Sequence, residues 1–412
     1  MRRLAWPLVV LLLVVLGLFP FLGKGTSELP VYTEAGARML AQEEIYRPAD
    51  EKPFSYPPFF AVAFVPFALL PQTQDVQRAV WYFANVGALI ATLAMLWSIV
   101  KPALRERRQR VWFWVGLTAL TARHVLAVFQ NQSHDLLVGL AITLAAFAWG
   151  RARGMWAGWW AGLAGACKAT PLLFGLPFVA QRRWRAVVGI GLGFAICSLV
   201  PDVLFPRTDG RLWLVAWFEI MVSGIGLGDS AQRAGVWHPA SILNQSLSGT
   251  IYRLTTHVEP ELRVLDIAPI HLGDGARKTV TMLGQLAVAA LIGFVSLRRV
   301  EADDERRLHR LGLAGCVACG MVLLSPMSSK SHFCVLLLPV AYCLVRCIGG
   351  PKDRVLAALL WAVFALGTLT TKGVLGRSMG ELALAYGAVT WATVVLLLAA
   401  AHGVFWTRRE DG

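Results

Sequence analysis

Apolar runs near the length of a membrane span, separated by short knots of arginine and lysine, recur from one end of this chain to the other. Crossing roughly 30 Å of hydrocarbon takes about 20 apolar residues as an α-helix. No water satisfies the backbone inside a bilayer, so runs of this length must be helical there. The pattern predicts an all-α polytopic membrane protein, a bundle of about 10–12 transmembrane helices with loops and interfacial helices on one face. Of the 412 residues, 56% are hydrophobic and only 16% charged, more apolar surface than a soluble core can hide. A formal net charge of +14 would fit nucleic acid, but the basic residues sit in clusters between apolar runs, where they set membrane orientation. Membrane lipids are therefore the expected surroundings, and no nucleic acid is expected.

Placing those clusters in the cytoplasm orders the spans. Arg2 and Arg3 precede an apolar run from Leu4 to Leu22. The run lacks an A-x-A-like cleavage site and reads as a retained first helix. The 12 residues Phe59 to Leu70 are too short to span, and counting them as a span would put the basic loop 101–110 outside; they are expected to lie at the outer interface or re-enter. Spans follow over Trp81–Val100, Val111–Phe129 and Asp135–Gly150. Between the basic clusters at Arg151 and Arg182, residues 155–180 read as a hairpin of short helices turning at Lys168-Ala169-Thr170-Pro171. Later spans are Trp184–Phe205, Val280–Leu297, Leu311–Leu324, Phe333–Val345, Val355–Leu369 and Glu381–Val404.

Both termini then lie in the cytoplasm and the chain is one integral membrane domain, 1–412, with a first outer loop over 23–80 and a long one over 206–278. The seven cysteines fall in or beside helices rather than in these loops, so neither disulfides nor a metal site is expected. Cys316 and Cys319 form a lone C-x-x-C pair in an apolar helix, which reads as small-residue packing.

The unusual polar residues gather on the outer side. The first loop carries Glu28, Tyr32, Tyr46 and Tyr56-Pro57-Pro58; the next turn carries Asn131, Gln132, His134 and Asp135. Lys168 sits at the hairpin turn, and the long loop adds Asn244, Gln245 and Arg253. A late turn holds Ser328, Lys330 and His332. A cation such as Lys168 among apolar residues is costly and commonly marks an anion site. Together these residues read as a polar cavity opening outward, which suits an enzyme, a transporter or flippase of an anionic substrate, or a noncatalytic assembly subunit. Repeated halves, usual in transporters, are absent from the sequence.

"SELPVYTEAGARMLAQEEIY" followed by "FSYPPFFAVAFVPFALLP" resembles the first periplasmic loop of the membrane glycosyltransferases of the C superfold, specifically family 87, the polyprenyl-phosphate-mannose-dependent mannosyltransferases. "NQSHDLLVGL", "AGLAGACKATPLLFGLPFVAQRRWRA", "NQSLSGTIYRL" and "SPMSSKSHF" are similar to that family's later motifs, in the same order. The resemblance implies an enzyme of the bacterial cytoplasmic membrane, active at its outer face and needing no cofactor. It would move a hexose, mannose by analogy, from a polyprenyl-phosphate donor to a lipid- or glycan-linked acceptor. By the same resemblance Glu28 is the catalytic base. Lys168, His332, Lys330 and Arg253 are candidates to hold the donor phosphate. Tyr32, Tyr46, Tyr56, Pro57, Asn131, Gln132, His134, Asn244, Gln245 and Ser328 are candidates to line the substrate pocket. Two departures stand out: family members ordinarily carry aspartate at the position of Glu28, and an aromatic with paired histidines in the late loop, where this chain reads Ser329-Lys330-Ser331-His332.

Overall fold

The computed structural model describes residues 28–70, 74–229, 235–258, 265–300 and 303–405. The expected first span, Leu4–Leu22, and the terminal arginines lie outside them. Among the described residues every regular element is helical. Two short helices, α1 (Leu29–Leu40) and α2 (Pro58–Ala68), precede the long α3 (Gln74–Val100) and α4 (Arg107–Asn131). Then come α5 (Asp135–Gly150), α6 (Gly154–Cys167), α7 (Gly175–Ala180), α8 (Trp184–Leu204), α9 (Trp213–Trp217) and α10 (Leu247–Thr255). The last third is α11 (Asp274–Ser296), α12 (Asp303–Leu324), α13 (Leu337–Gly349), α14 (Arg354–Phe364), α15 (Lys372–Ala385) and α16 (Ala388–Phe405). Six helices are long and apolar enough to cross a membrane by length and composition, and α14, with the turn that continues it to Leu369, passes the same test together with α15 across an 84° bend. Large apolar side chains point outward from these helices, with Phe83 69% exposed, Val203 78% and Trp361 70%. A soluble monomer rarely presents such a surface, whereas lipid accepts it. This is a multi-pass membrane protein.

The core runs along α12, where every residue from 311 to 323 is buried, as a helix enclosed by others must be. Its neighbours include α5, α11, α13 and α16. A second core forms under the candidate site. Tyr32, Ala35 and Met39 of α1 recur at helical spacing and face Phe60, Phe64 and Val65 of α2. Gly36 lets the two backbones close up, because a Cβ there would stand 2.5 Å from the Phe64 carbonyl.

The tightest helix pair is α6 with α8. Gly158 and Gly162 on one helix and Gly189 and Gly193 on the other are each four residues apart, one turn, and lie against the partner's backbone. A Cβ on Gly158 would stand 1.9 Å from the Ala186 carbonyl oxygen, and one on Gly193 2.6 Å from that of Trp159. This small-residue seam is the usual means of bringing membrane helices into van der Waals contact, where the hydrophobic effect between helices is missing.

The basic turns collect at one end of the bundle: Gln109 donates to the Ile348 carbonyl, Gln181 to that of Arg298, and Arg310 to that of Trp149. At the opposite end the Glu28 amide donates to the Asn131 carbonyl and the Gln245 amide to that of Ser328. The hairpin turns at Lys168 as expected, with a short 3-10 segment over Thr170–Phe174 beyond it.

Two expected segments differ. Glu381–Val404 is not one span: the chain breaks at Tyr386-Gly387, where Gly387 takes φ +79°, and Glu381 belongs to α15. Left-handed backbone favours glycine, so an apolar run that looks continuous ends there. The charged stretch before Leu311 is not a loop. Asp303 onward is helical, and Glu305 and Arg310 are held by Arg346 and the Trp149 carbonyl, partners far off in the sequence.

Candidate active site

A cavity of about 190 Å³ opens at the end of the bundle opposite the basic turns. Its walls include Glu28, Tyr32, Tyr56 and Asn131, together with Asp135, Ser329, Ser331 and His332. Asp135 and His332 also line an adjoining recess with Lys168 and Ser328. The sequence separates these residues by as much as 304 positions; four local devices bring them together.

Glu28 is the N-cap residue of α1, but its side chain makes no cap hydrogen bond, which leaves the carboxylate to the cavity. Burial lifts its pKa above the ordinary glutamate value, Lys52 opposes that rise, and Asp135 adds to it. Gln132 takes a left-handed φ of 52° to end α4, and its carbonyl accepts from Trp81 Nε1 at 2.8 Å. The turn then points Asp135, the first residue of α5, into the cavity. Lys168 caps α6 in extended conformation, so its chain leaves the helix axis and reaches Asp135. Lys168 Nζ lies 2.8 Å from Asp135 Oδ1. His332 Nε2 is 3.9 Å from Asp135 Oδ2, which has no hydrogen-bond partner among the described residues. A buried carboxylate oxygen without a donor is expensive, so this atom is poised to accept from whatever enters.

The late loop that carries Ser328 to His332 is held from behind by the Asn-Gln-Ser motif. Asn244 Oδ1 accepts from the Ser328 amide at 3.1 Å, its Nδ2 donates to the Pro326 carbonyl at 3.2 Å, and Ser328 Oγ donates to the Val322 carbonyl. His332 Nδ1 accepts from the Ser329 amide at 3.3 Å, which leaves Nε2 for the cavity.

Several expected pocket residues lie elsewhere. Tyr46 is buried behind the wall, its hydroxyl donating to the Tyr56 carbonyl and its ring packed on Phe54 and Trp213. Pro57 is the N-cap of α2 and fixes the helix start. His134 is fully buried among Tyr32, Tyr56 and Phe60, with the Tyr32 hydroxyl 3.0 Å from Nδ1; burial holds its pKa down at about 3, so the ring is neutral. Gln132, Asn244 and Gln245 are buried supports; Gln245 Nε2 donates to the Ile242 and Leu384 carbonyls. Arg253 does not reach the cavity: its guanidinium is 1% exposed and spends its donors on the carbonyls of Ala385, Ser241 and Asn244 and on Thr250. Lys330 is not part of the lining of either the cavity or the recess, and the charges acting on it are those of Arg123 and Lys372. Asp135, which the sequence places in the right turn without a role, becomes the hub of the site, and Lys52 and Trp237 of the cavity wall carried no sequence signal.

A helical membrane bundle with a carboxylate-bearing cavity at one end suits an enzyme on lipid-linked substrates and a transporter of them alike, and the family decides between them. The sequence profile of glycosyltransferase family 87 matches residues 54–326, two thirds of the chain, and the chain belongs to that family. That membership decides against a transporter or flippase. The chain is 26% identical over 319 residues to the polyprenol-phosphate-mannose-dependent alpha-(1-2)-phosphatidylinositol pentamannoside mannosyltransferase of Mycolicibacterium smegmatis, a match covering 77% of this chain and 67% of that protein. It is 27% identical over 317 residues to the polyprenol-phosphate-mannose-dependent alpha-(1-2)-phosphatidylinositol mannoside mannosyltransferase of Mycobacterium tuberculosis, covering 75% of this chain and 65% of that protein. The chain thus spans about two thirds of the length of the curated relatives it matches.

Proposed function

We propose that this chain transfers mannose from a polyprenyl-phosphate carrier to a hydroxyl of a lipid-linked mannoside, at the outer face of a bacterial cytoplasmic membrane and with both termini inside. The observation that carries the reading is the meeting of Glu28 with Asp135 and His332 around one cavity, with Lys168 behind Asp135. The names of the relatives supply the donor and the class of acceptor. The orientation follows from the basic turns gathered at the end of the bundle away from the cavity.

In this reading the acceptor hydroxyl hydrogen-bonds Glu28, which removes its proton as the oxygen attacks the anomeric carbon. The bond from that carbon to the phosphate oxygen breaks, and polyprenyl phosphate leaves with the electron pair. Attack from the face opposite the phosphate inverts the anomeric centre. Burial lifts the Glu28 pKa, making the carboxylate a stronger base than an exposed glutamate. Lys168 and His332 stabilise the departing phosphate, and charge held in a water-poor recess is worth more than in bulk water. Asp135 fixes Lys168 through one oxygen, and its other accepts a sugar hydroxyl. The side chains of Tyr32, Tyr56 and Asn131 shape the sugar-binding wall. Arg253 and Lys330 are left out of phosphate binding in this cavity.

The test is transfer by the purified full chain in lipid, with polyprenyl-phosphate mannose as donor and phosphatidylinositol mannosides as acceptors. Glu28→Gln should fold and lose transfer by at least about 10²-fold, the usual scale of a general base. Equal transfer by variant and wild type would remove Glu28 from the mechanism.

A further inference from the structure

The loop that supplies His332 carries a cation the cavity does not use. Ser329 and Ser331 line the cavity, and Lys330 between them is not part of its lining. Its backbone is anchored there by His124, whose Nδ1 donates to the Lys330 carbonyl at 3.1 Å. The Lys330 ammonium is partly buried and, among the described residues, has neither a carboxylate nor a hydrogen-bond acceptor; the charges acting on it are Arg123 and Lys372, both cations. Arg123, on α4, donates to the Gly367 carbonyl. Lys372 opens α15 just past the 84° bend and shares Glu381 with Arg377. Arg123, Lys330, Lys372 and Arg377 therefore have, among the described residues, a single carboxylate between them.

The cluster runs from a partly buried Lys330 to a Lys372 whose side chain is 40% exposed. Arg123 is eight residues before the end of α4, about 12 Å along the helix. Thr368 of the bent pair donates to the Ala119 carbonyl at 3.0 Å, so the bend is pressed against α4 at that depth. Like charges repel one another, more strongly where water is partly excluded, and no acceptor among the described residues offsets this for Lys330. An anion would. Arginine and lysine together match phosphate oxygens, through charge-assisted hydrogen bonds.

We infer that Arg123, Lys330 and Lys372 form a second anion site, separate from the cavity at Glu28, that takes the phosphate of an anionic lipid headgroup. The site sits where the bent α14–α15 pair meets α4, beside the exposed Val374, Leu375 and Met379 of α15, on which a lipid chain can lie. The inference goes beyond the transfer reaction, because it needs no sugar and no Glu28.

The experiment uses the full chain in nanodiscs and measures retained lipid by native mass spectrometry, with a polyprenyl monophosphate, phosphatidylglycerol and inorganic phosphate as probes. Lys330→Gln and Arg123→Gln should each retain the phosphate lipid at least about ten-fold less, the effect of losing one charged hydrogen bond. Lys330→Arg should restore retention, and millimolar inorganic phosphate should compete. Loss confined to the polyprenyl phosphate assigns the site to the carrier, and loss of both lipids assigns it to anionic headgroups in general. Wild-type retention of both lipids by Lys330→Gln and Arg123→Gln, in protein of unchanged melting temperature, overturns the proposal. A chain that binds the phosphate lipid but moves no mannose would sink the transfer reading and not this one.

Discussion

Asp135 holds Lys168 across 2.8 Å through one carboxylate oxygen and turns the other, without a hydrogen-bond donor among the described residues, toward His332. The pair is buried on both sides, with the Asp135 side chain 3% exposed and that of Lys168 14%. Breaking a buried pair from one side leaves an uncompensated charge, at about 3–5 kcal/mol, whereas removing both partners costs far less. Asp135→Asn and Lys168→Met should each lower the melting temperature markedly, and the double variant should lie closer to wild type than their sum. Thermal unfolding of the four proteins in one detergent measures the coupling. Transfer should be lost in all three variants; a double variant that is both stable and active would remove the pair from catalysis.

The pH dependence of transfer follows from Glu28. A base must be deprotonated, and burial has raised its pKa, so activity should fall on acidification at a higher pH than the ordinary glutamate value of about 4.3 would give. Lys52 pulls the other way, so Lys52→Gln should move the acid limb further up. The same shift has a stability counterpart: a raised pKa means that the charged form destabilises the fold at neutral pH, and the deficit appears as pH rises through the raised value. Glu28→Gln should therefore be inactive and melt slightly higher than wild type near pH 7, and a lower melting temperature there would contradict the assignment.

Arg253 separates support from binding. Its donors reach carbonyls on either side of a 132-residue separation, so Arg253→Lys, which cannot fan out to all of them, should lose about 2–4 kcal/mol of stability. In protein that remains folded, KM for the donor should not change. A large rise in KM at unaltered melting temperature would return Arg253 to the phosphate.

Asn244 holds the loop that presents His332 by accepting from the Ser328 amide and donating to Pro326. Asn244→Ala should lower kcat by about ten- to a hundred-fold, as ångström-scale misplacement does, while the donor still binds. Asn244→Asp, which keeps the accepting oxygen, should recover part of the rate.

In the α6–α8 seam, Gly162→Val would put side-chain carbon against the Ile190 carbonyl, where even a Cβ stands at 2.4 Å. Overpacking costs about 1–3 kcal/mol when neighbours can yield, and here the neighbour is backbone. Folded yield should collapse, and Gly191→Val, whose Cβ meets open space, should fold normally.

How much of this was legible in the sequence depends on the range of the signal. The spans at α3, α4 and α8, and the hairpin that turns at Lys168, follow from runs of twenty-odd residues and from a Pro-bearing break between basic clusters. The placing of Glu28, Asn131 and His332 at one end followed from counting crossings. What failed was the side chain's direction. His134 and Asp135 are neighbours, yet one is buried in an aromatic cluster and the other faces the cavity, a choice made by the Tyr32 hydroxyl 102 residues away. Arg253 and Lys330 read as phosphate ligands because charge in a polar loop invites that reading; in the structure carbonyls take up the first, and the second is not part of the cavity lining. The break at Gly387 was hidden inside continuous apolarity, since glycine is common in membrane helices.

The glycine seam also sets a depth. Because α6 and α8 touch backbone to backbone, no flexible side chain lies between them to absorb a shift along the common axis. The pair therefore behaves as a notched rod in a fixed sleeve, because a shift of less than a turn would carry side-chain carbon into the places the glycines leave open. Lys168 is attached directly to the end of that rod. The height at which its charge stands along the bundle is thus set by glycines six and ten residues away, neither of which touches the cavity.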